Sequence, residues 1–521
     1  MRPLVASSVT PDRPARWPGS SPPHLVPVLV AGATVVAVVA GNGNLALALA
    51  PTLIALFLWA LWATPTRYTL LLLLALSWLV EAPGAEFGSG KVKPPWLPIG
   101  RVLWSKLNLV LPVPPLVFTG FDLLALLLFG VLIVRLVQRS PLDRTGWVDT
   151  PAPLGAFAWV SLLAVLWLCA WGMARGGAFR FVLWQSIKWI YVPLVYALMR
   201  QGLRGTQDAP TVGKIILGVG LVRAVEAIVV RRMYPSASVV SYATTHMDSV
   251  LFATCVAILA AMALEMPSRR TFKISLLLLP VYVWAMQANN RRLVYTELAL
   301  AFLCFWLVTP WRPVKRVLAR LGMLALVPLL LYGTVGWHRQ GFPFGPVQKI
   351  RSMVDSKADA STLWRDMENF NLVSTYLDHP VLGSGFGHPM KEVVKLPDVT
   401  AAYELEPYIP HNSVLGLWAF TGLVGFALLW MIFPVGMFFT VRAYRWAGTP
   451  LERVTALGAL ASQVCYLTQG YGDLGFGDWG SVFTVATGYA LVGKICIARG
   501  AWSWSRSGYE STHPPAAPSP S

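Results

Sequence analysis

Charge is scarce in this sequence: Asp, Glu, Lys and Arg make up 13% of its 521 residues, where a soluble domain averages about 25%. With 55% hydrophobic residues, the chain cannot hide its apolar surface inside one water-soluble globule, which leaves the bilayer as its solvent. Cysteine is sparse as well. The five thiols, Cys169, Cys255, Cys304, Cys465 and Cys496, lie in or beside apolar runs and form no CxxC pair, so neither a zinc site nor a disulfide framework is implied. No HxxxH or HExxH spacing joins the histidines, and no metal site is expected. Acidic residues are the rarer sign, leaving a net charge of +18. The Lys and Arg residues do not gather on one domain, as a nucleic-acid-binding face would require. They sit between apolar runs, where they orient a membrane protein, and no nucleic-acid partner is expected.

What is abundant is long apolar sequence. A spanning helix needs about 20 mostly apolar residues. Such runs lie near 24–41, 45–63, 68–81, 118–137, 154–173, 181–199, 211–230, 247–264, 273–289, 293–309, 317–336, 413–440, 455–470 and 479–497. The expected fold is an all-α polytopic membrane protein with about fourteen transmembrane helices, packed through small residues such as Gly422 and Gly425. Pro and Arg punctuate residues 1–23, so the first apolar run reads as a retained helix rather than a cleaved leader. With both termini inside, the inward segments hold the larger share of Lys and Arg outside the longest loop. The expected division is a cytoplasmic N-terminal segment (1–23), transmembrane helices 1–11 (24–336), a long periplasmic loop between helices 11 and 12 (337–412), transmembrane helices 12–14 (413–497) and a disordered, Ser/Pro-rich cytoplasmic tail (498–521). A second outward segment, 82–117, is Pro-rich and basic. Loops as long as 337–412 usually have a function.

Polar residue types concentrate on that outward side. In Asn289-Asn290-Arg291-Arg292 two adjacent guanidiniums stand where one helix ends and the next begins. They read either as interfacial side chains reaching towards headgroups or as an anion site, since Arg offers a forked, permanent donor for phosphate oxygens. Within the long loop, Ser361–Glu368 reads as a short amphipathic helix with Arg365 flanked by the acids Asp366 and Glu368. Further on, His379-Pro380-Val381-Leu382-Gly383-Ser384-Gly385-Phe386-Gly387 places Gly383, Gly385 and Gly387 at alternate positions, where backbone can pass close to a neighbour or a ligand. His411 and Asn412 stand at the outer mouth of the following helix, and a histidine titrates where a general base works. Inside apolar runs, Lys188, Arg223, Glu226, Asp248 and Glu297 are either arginine partners or functional groups; Asp248 is a substrate-binding candidate.

The order of these features resembles the O-antigen ligase and O-antigen polymerase superfamily, which also includes bacterial O-oligosaccharyltransferases. A basic motif after an apolar helix is followed by one more hairpin, a long loop with Arg365, then HPxxGxGxG, and His-Asn before a Gly-containing helix. The resemblance covers about residues 210–440 and is strongest over 361–425. It implies an integral-membrane glycosyltransferase of the GT-C class in the bacterial inner membrane, acting on its periplasmic side. Undecaprenyl-diphosphate-linked glycans would serve as donor and acceptor, without metal, nucleotide or other cofactor. The family's functional pattern of two arginines and a histidine falls on Arg291 or Arg292, on Arg365 and on His411; the doubled first arginine departs from the usual single one. The expected activity is polymerisation of an exopolysaccharide, capsule or O-antigen, with polysaccharide export and chain-length-control proteins as further partners. Ligase or oligosaccharyltransferase activity is the alternative within the superfamily. A transporter of lipid-linked glycans is the alternative from another class, against which the lack of an obvious inverted repeat counts.

Overall fold

The computed structural model describes residues 25–40, 43, 45–81, 87–107, 117–137, 147–339, 342–355, 360–396, 405 and 407–503. The expected N-terminal segment 1–23 and the tail beyond Ser503 lie outside the described residues, as do parts of the 82–117 and 337–412 loops. Among the described residues no strand forms; Lys106 and Thr119 make an isolated bridge.

The helices are α1 (Leu25–Ala40), α2 (Leu45–Ala63), α3 (Thr66–Leu79), α4 (Leu97–Trp104), α5 (Gly120–Val137), α6 (Ala152–Ala174), α7 (Phe179–Gly202), α8 (Ala209–Met233) and α9 (Asp248–Glu265). They continue with α10 (Arg269–Asn289), α11 (Leu293–Val308), α12 (Pro313–His338), α13 (Gly345–Val354), α14 (Ala360–Asp378), α15 (Ser413–Trp430), α16 (Ile432–Trp446), α17 (Pro450–Gly472) and α18 (Trp479–Ala498). Every apolar run read from the sequence falls on helix. Eight helices among the described residues are long and apolar enough to cross a membrane, or nine if the pair α2 and α3, bent by 115° beside Pro65, forms one span.

The centre of the bundle is built by α7, α9, α17 and α18, whose facing side chains are buried. Small residues permit this closeness: Gly488 of α18 lies against Ala459 of α17. At the periphery α12 exposes Leu324, Leu329 and Leu330, as lipid-facing helices do. A buried arginine inside the bundle is paired. Arg223, fully buried on α8, meets Glu81, Glu226 at 2.5 Å and Asp248 at 2.5 Å, because an unpaired buried charge is costly.

Two elements differ from the sequence reading. The 337–412 segment is not an open loop: it carries α13 and α14, and α14 extends through Asp378, well beyond the short helix read at 361–368. It stops at His379-Pro380, where the proline disfavours a further helical turn. Leu372 of α14 joins Met390, Leu396, Ala419 and Phe420 in a small second core. Gly422, expected as a helix-packing residue, instead breaks α15 with φ 61°, a left-handed conformation that suits glycine. The segment after α14 fills the break. Leu423 and Val424 donate to the carbonyls of Pro380 and Val381 at 2.9 and 3.0 Å, and Gly385 donates to Phe420 O at 2.9 Å. The backbone groups freed by the kink are thereby satisfied, as an apolar setting demands. Gly425 does pack between helices, against Leu168 of α6.

Candidate active site

The site is assembled at one end of the bundle, beginning with the turn from α10 to α11. Asn289 is buried and ties this turn to the start of α9. It accepts the Thr244 N–H at 2.9 Å and donates to Thr245 O at 3.0 Å and Ser249 Oγ at 3.3 Å. Asn290 takes the left-handed conformation, φ 53°, which asparagine tolerates better than most residues. Arg231 at the end of α8 donates to Ala288 O at 2.9 Å and Val240 O at 2.8 Å, and so satisfies a carbonyl at the end of α10. This tightly held turn carries the two arginines. Arg291 lies 3.9 Å from the centre of the Tyr242 ring, a cation–π stack. Arg292 donates from Nη1 to Ser352 Oγ at 2.6 Å and Ser352 O at 3.0 Å, on α13.

Arg365 projects from α14 towards Asp473, which follows α17, at 4.0 Å. Asp473 also meets His246 Nδ1 at 2.5 Å. Burial alone would favour its neutral form. The hydrogen bond and charge of His246, the Leu474 N–H and the Arg365 guanidinium overcome this and hold the carboxyl well below the usual carboxylate range. Arg291, Arg292 and Arg365 line one cavity of about 450 Å³ together with His246, Gln469 and Asp473. Three guanidiniums on the walls make it an anion-attracting chamber.

His411 adjoins this chamber through α14. Glu368, one turn beyond Arg365, accepts the His411 backbone N–H at 3.1 Å and faces Nδ1 at 3.2 Å. Because a carboxylate only accepts, Nδ1 carries the hydrogen and Nε2 is left as the basic atom. Trp364 packs edge-on against the imidazole, with ring centres 5.1 Å apart. Burial opposes the imidazolium, but the Glu368 hydrogen bond and charge, with the charge of Asp473, outweigh burial and Arg365. His411 therefore holds its proton above the ordinary histidine value.

The other candidates sit elsewhere. Asn412 caps α15, accepting the Leu415 N–H at 3.0 Å, and donates to Asn369 Oδ1 at 3.1 Å. Its side chain thus fixes the position of its neighbour His411. Gly383, Gly385 and Gly387 all have positive φ and face the α15 break, Gly172 of α6, and Gly177 with Val182 of α7; they are not among the cavity's lining residues. Asp248 is the ion-pair partner of Arg223 and likewise does not line it. Arg365 finds Asp473 rather than its sequence neighbours Asp366 and Glu368. Sequence reasoning passed over Glu368 as the histidine's partner, and over Asp473. The signal for Asp473 was its place in the glycine-rich turn Gly470-Tyr471-Gly472-Asp473-Leu474-Gly475, between two apolar runs.

Residues 285–430 match the family model described as O-antigen ligase. This match over part of the chain supports membership of the O-antigen ligase and polymerase superfamily. No curated protein matches it. That similarity supports a role in glycosyl transfer in the membrane during polysaccharide synthesis, with lipid-linked glycans as substrates, in a bacterial inner-membrane protein. The ligase-family stretch contains Arg291, Arg292, Arg365 and His411, whereas His246 and Asp473 reach the same site from outside it.

Proposed function

We propose that this chain is a polysaccharide polymerase that transfers glycan from an undecaprenyl-diphosphate donor to a lipid-linked repeat unit on the periplasmic face. The observation that carries this reading is the meeting of three guanidiniums in one chamber beside a carboxylate-held histidine. The acceptor hydroxyl attacks the anomeric carbon of the donor sugar. Its proton passes to His411 Nε2 as the new glycosidic bond forms. The bond from the anomeric carbon to the diphosphate oxygen breaks, and its electron pair stays on the diphosphate. Negative charge therefore grows on the leaving group, where fixed guanidinium donors stabilise the transition state most. Attack from the face opposite the leaving group inverts the anomeric centre. In this reading 24–336 and 413–497 supply the membrane-embedded walls, and 337–412 covers the glycan.

The matching family is described as a ligase; in that second reading the acceptor is the lipid A core. Deletion separates the two: a strain lacking a polymerase accumulates single lipid-linked repeats, and one lacking a ligase accumulates full-length polymer on its carrier. For the chemistry, purified full-length protein is given lipid-linked repeats. His411→Ala is expected to slow elongation by about 10²–10⁴-fold, the usual contribution of a general base, while remaining folded. Undiminished chain growth in that variant would overturn the base assignment.

A further inference from the structure

A second, larger cavity lies at the opposite end of the bundle and takes no part in the chemistry above. Its volume is about 580 Å³, and its walls come from α8, α9, α10, α17 and α18. On α9 it runs from Thr254 to Met262, about 12 Å at the rise of an α-helix. One leaflet contributes about half of a hydrocarbon core of roughly 30 Å, so the cavity's depth is close to that of one leaflet. The wall residues are mostly aliphatic, among them Ile216, Ile258, Ile274 and Leu491. Most of the hydroxyls that reach the wall are already engaged: Thr455 donates to Leu451 O at 2.8 Å, Ser462 to Ala459 O at 3.0 Å and Thr484 to Gly480 O at 2.9 Å, while Ser268 and Thr271 bond to each other at 2.9 Å. A space walled in this way does not hold ordered water, and in a bilayer a hydrocarbon chain is the species at hand to fill it.

The mouth has a definite sign. Lys214 and Arg270 line it and take part in no ion pair among the described residues. The neighbouring carboxylates are already neutralised: Asp208 by Arg67 at 3.0 Å, Glu265 by Arg312 at 3.0 Å and Glu452 by Arg499 at 2.8 Å. The first residues of α8, α10 and α17 (Ala209 and Pro210, Arg270 and Thr271, Leu451) all border the same space, so three helix N-termini add partial positive charge. An apolar shaft one leaflet deep beneath a positive rim complements one kind of molecule, an amphiphile with an acyl tail and an anionic headgroup.

We infer that this cavity is a structural lipid site, seating one acyl chain of an anionic phospholipid with its phosphate at Lys214 and Arg270. The site is independent of glycan transfer and stands whether or not the polymerase reading does. To test it, full-length protein is delipidated in mild detergent. Thermal unfolding is then followed while phosphatidylglycerol, phosphatidylethanolamine or inorganic phosphate is titrated in. Phosphatidylglycerol is expected to raise the unfolding midpoint at lower concentration than phosphatidylethanolamine, and inorganic phosphate to have no effect. The double variant Lys214→Gln/Arg270→Gln is expected to lose that headgroup preference, at about fivefold in affinity per charge removed. Gly213→Phe places a ring in the cavity from a position where an added Cβ meets no atom within 4 Å, and should weaken binding of both lipids. The charge variant alters exposed, unpaired side chains, so it keeps the test decisive even if the cavity-filling variant fails to fold. Equal response to both headgroups, unchanged phosphatidylglycerol affinity in the double variant, or displacement of phosphatidylglycerol by polyprenyl phosphate from this end of the bundle would each overturn the inference.

Discussion

At the scale of single residues, Glu368 governs how His411 behaves. A general base must start unprotonated, so the rate falls as pH drops through its pKa. His411 is held above the ordinary histidine value, about 6.5, and the acid limb of the pH–rate profile should lie correspondingly high. Glu368→Gln removes the hydrogen-bonded charge that opposes burial and Arg365, so that limb should move to lower pH. An unmoved limb would mean that another group limits the rate. Arg365 invites a different experiment. Its side chain is 41% exposed and its carboxylate partner stands at 4.0 Å, a pair contributing about 0–1 kcal/mol to stability. Arg365→Ala should therefore leave thermal unfolding nearly unchanged while elongation drops by about 10²–10³-fold, the usual loss of one transition-state donor. Equal losses in both measurements would make the arginine structural.

At the scale of elements, the alternating glycines act on the frame around the site. Gly383 has φ 69°, and a Cβ there would stand 2.2 Å from Phe420 O. Gly383→Ala is therefore expected to cost about 1–3 kcal/mol, seen as a lower unfolding midpoint. Activity should be lost together with that stability, because the same segment docks on the break in α15, the helix that begins beside His411. A variant that unfolds normally but binds lipid-linked glycan poorly would support the binding role expected of this glycine. Arg291 and Arg292 are likewise products of their element. Asn289 and Asn290 set the turn, and the turn sets the arginines against Tyr242 and Ser352.

At the scale of the whole molecule, sidedness is decisive. Lys and Arg favour the inward segments, so the chamber is expected to open to the periplasm. Ser361 lines that chamber and is exposed. A thiol introduced as Ser361→Cys should react with a membrane-impermeant maleimide added to spheroplasts, above the background of the native thiols. Reaction only in inverted vesicles would reverse the topology and end the proposal of a periplasmic enzyme.

The sequence by itself determined that the chain is helical and made for a bilayer, because run length and the scarcity of charge are local properties that leave few alternatives. It also supplied the order of Arg291, Arg292, Arg365 and His411, since a motif and its spacing are written along the chain. The meeting of the three arginines in one cavity was decided only by tertiary structure. So were the pairing of His411 with Glu368, the bridge from His246 through Asp473 to Arg365, and the withdrawal of Asp248 to Arg223. Each of these choices depends on which helix ends the packing brings within a few ångströms. A carboxylate looks the same in sequence whether its nearest cation is three residues away or on another helix.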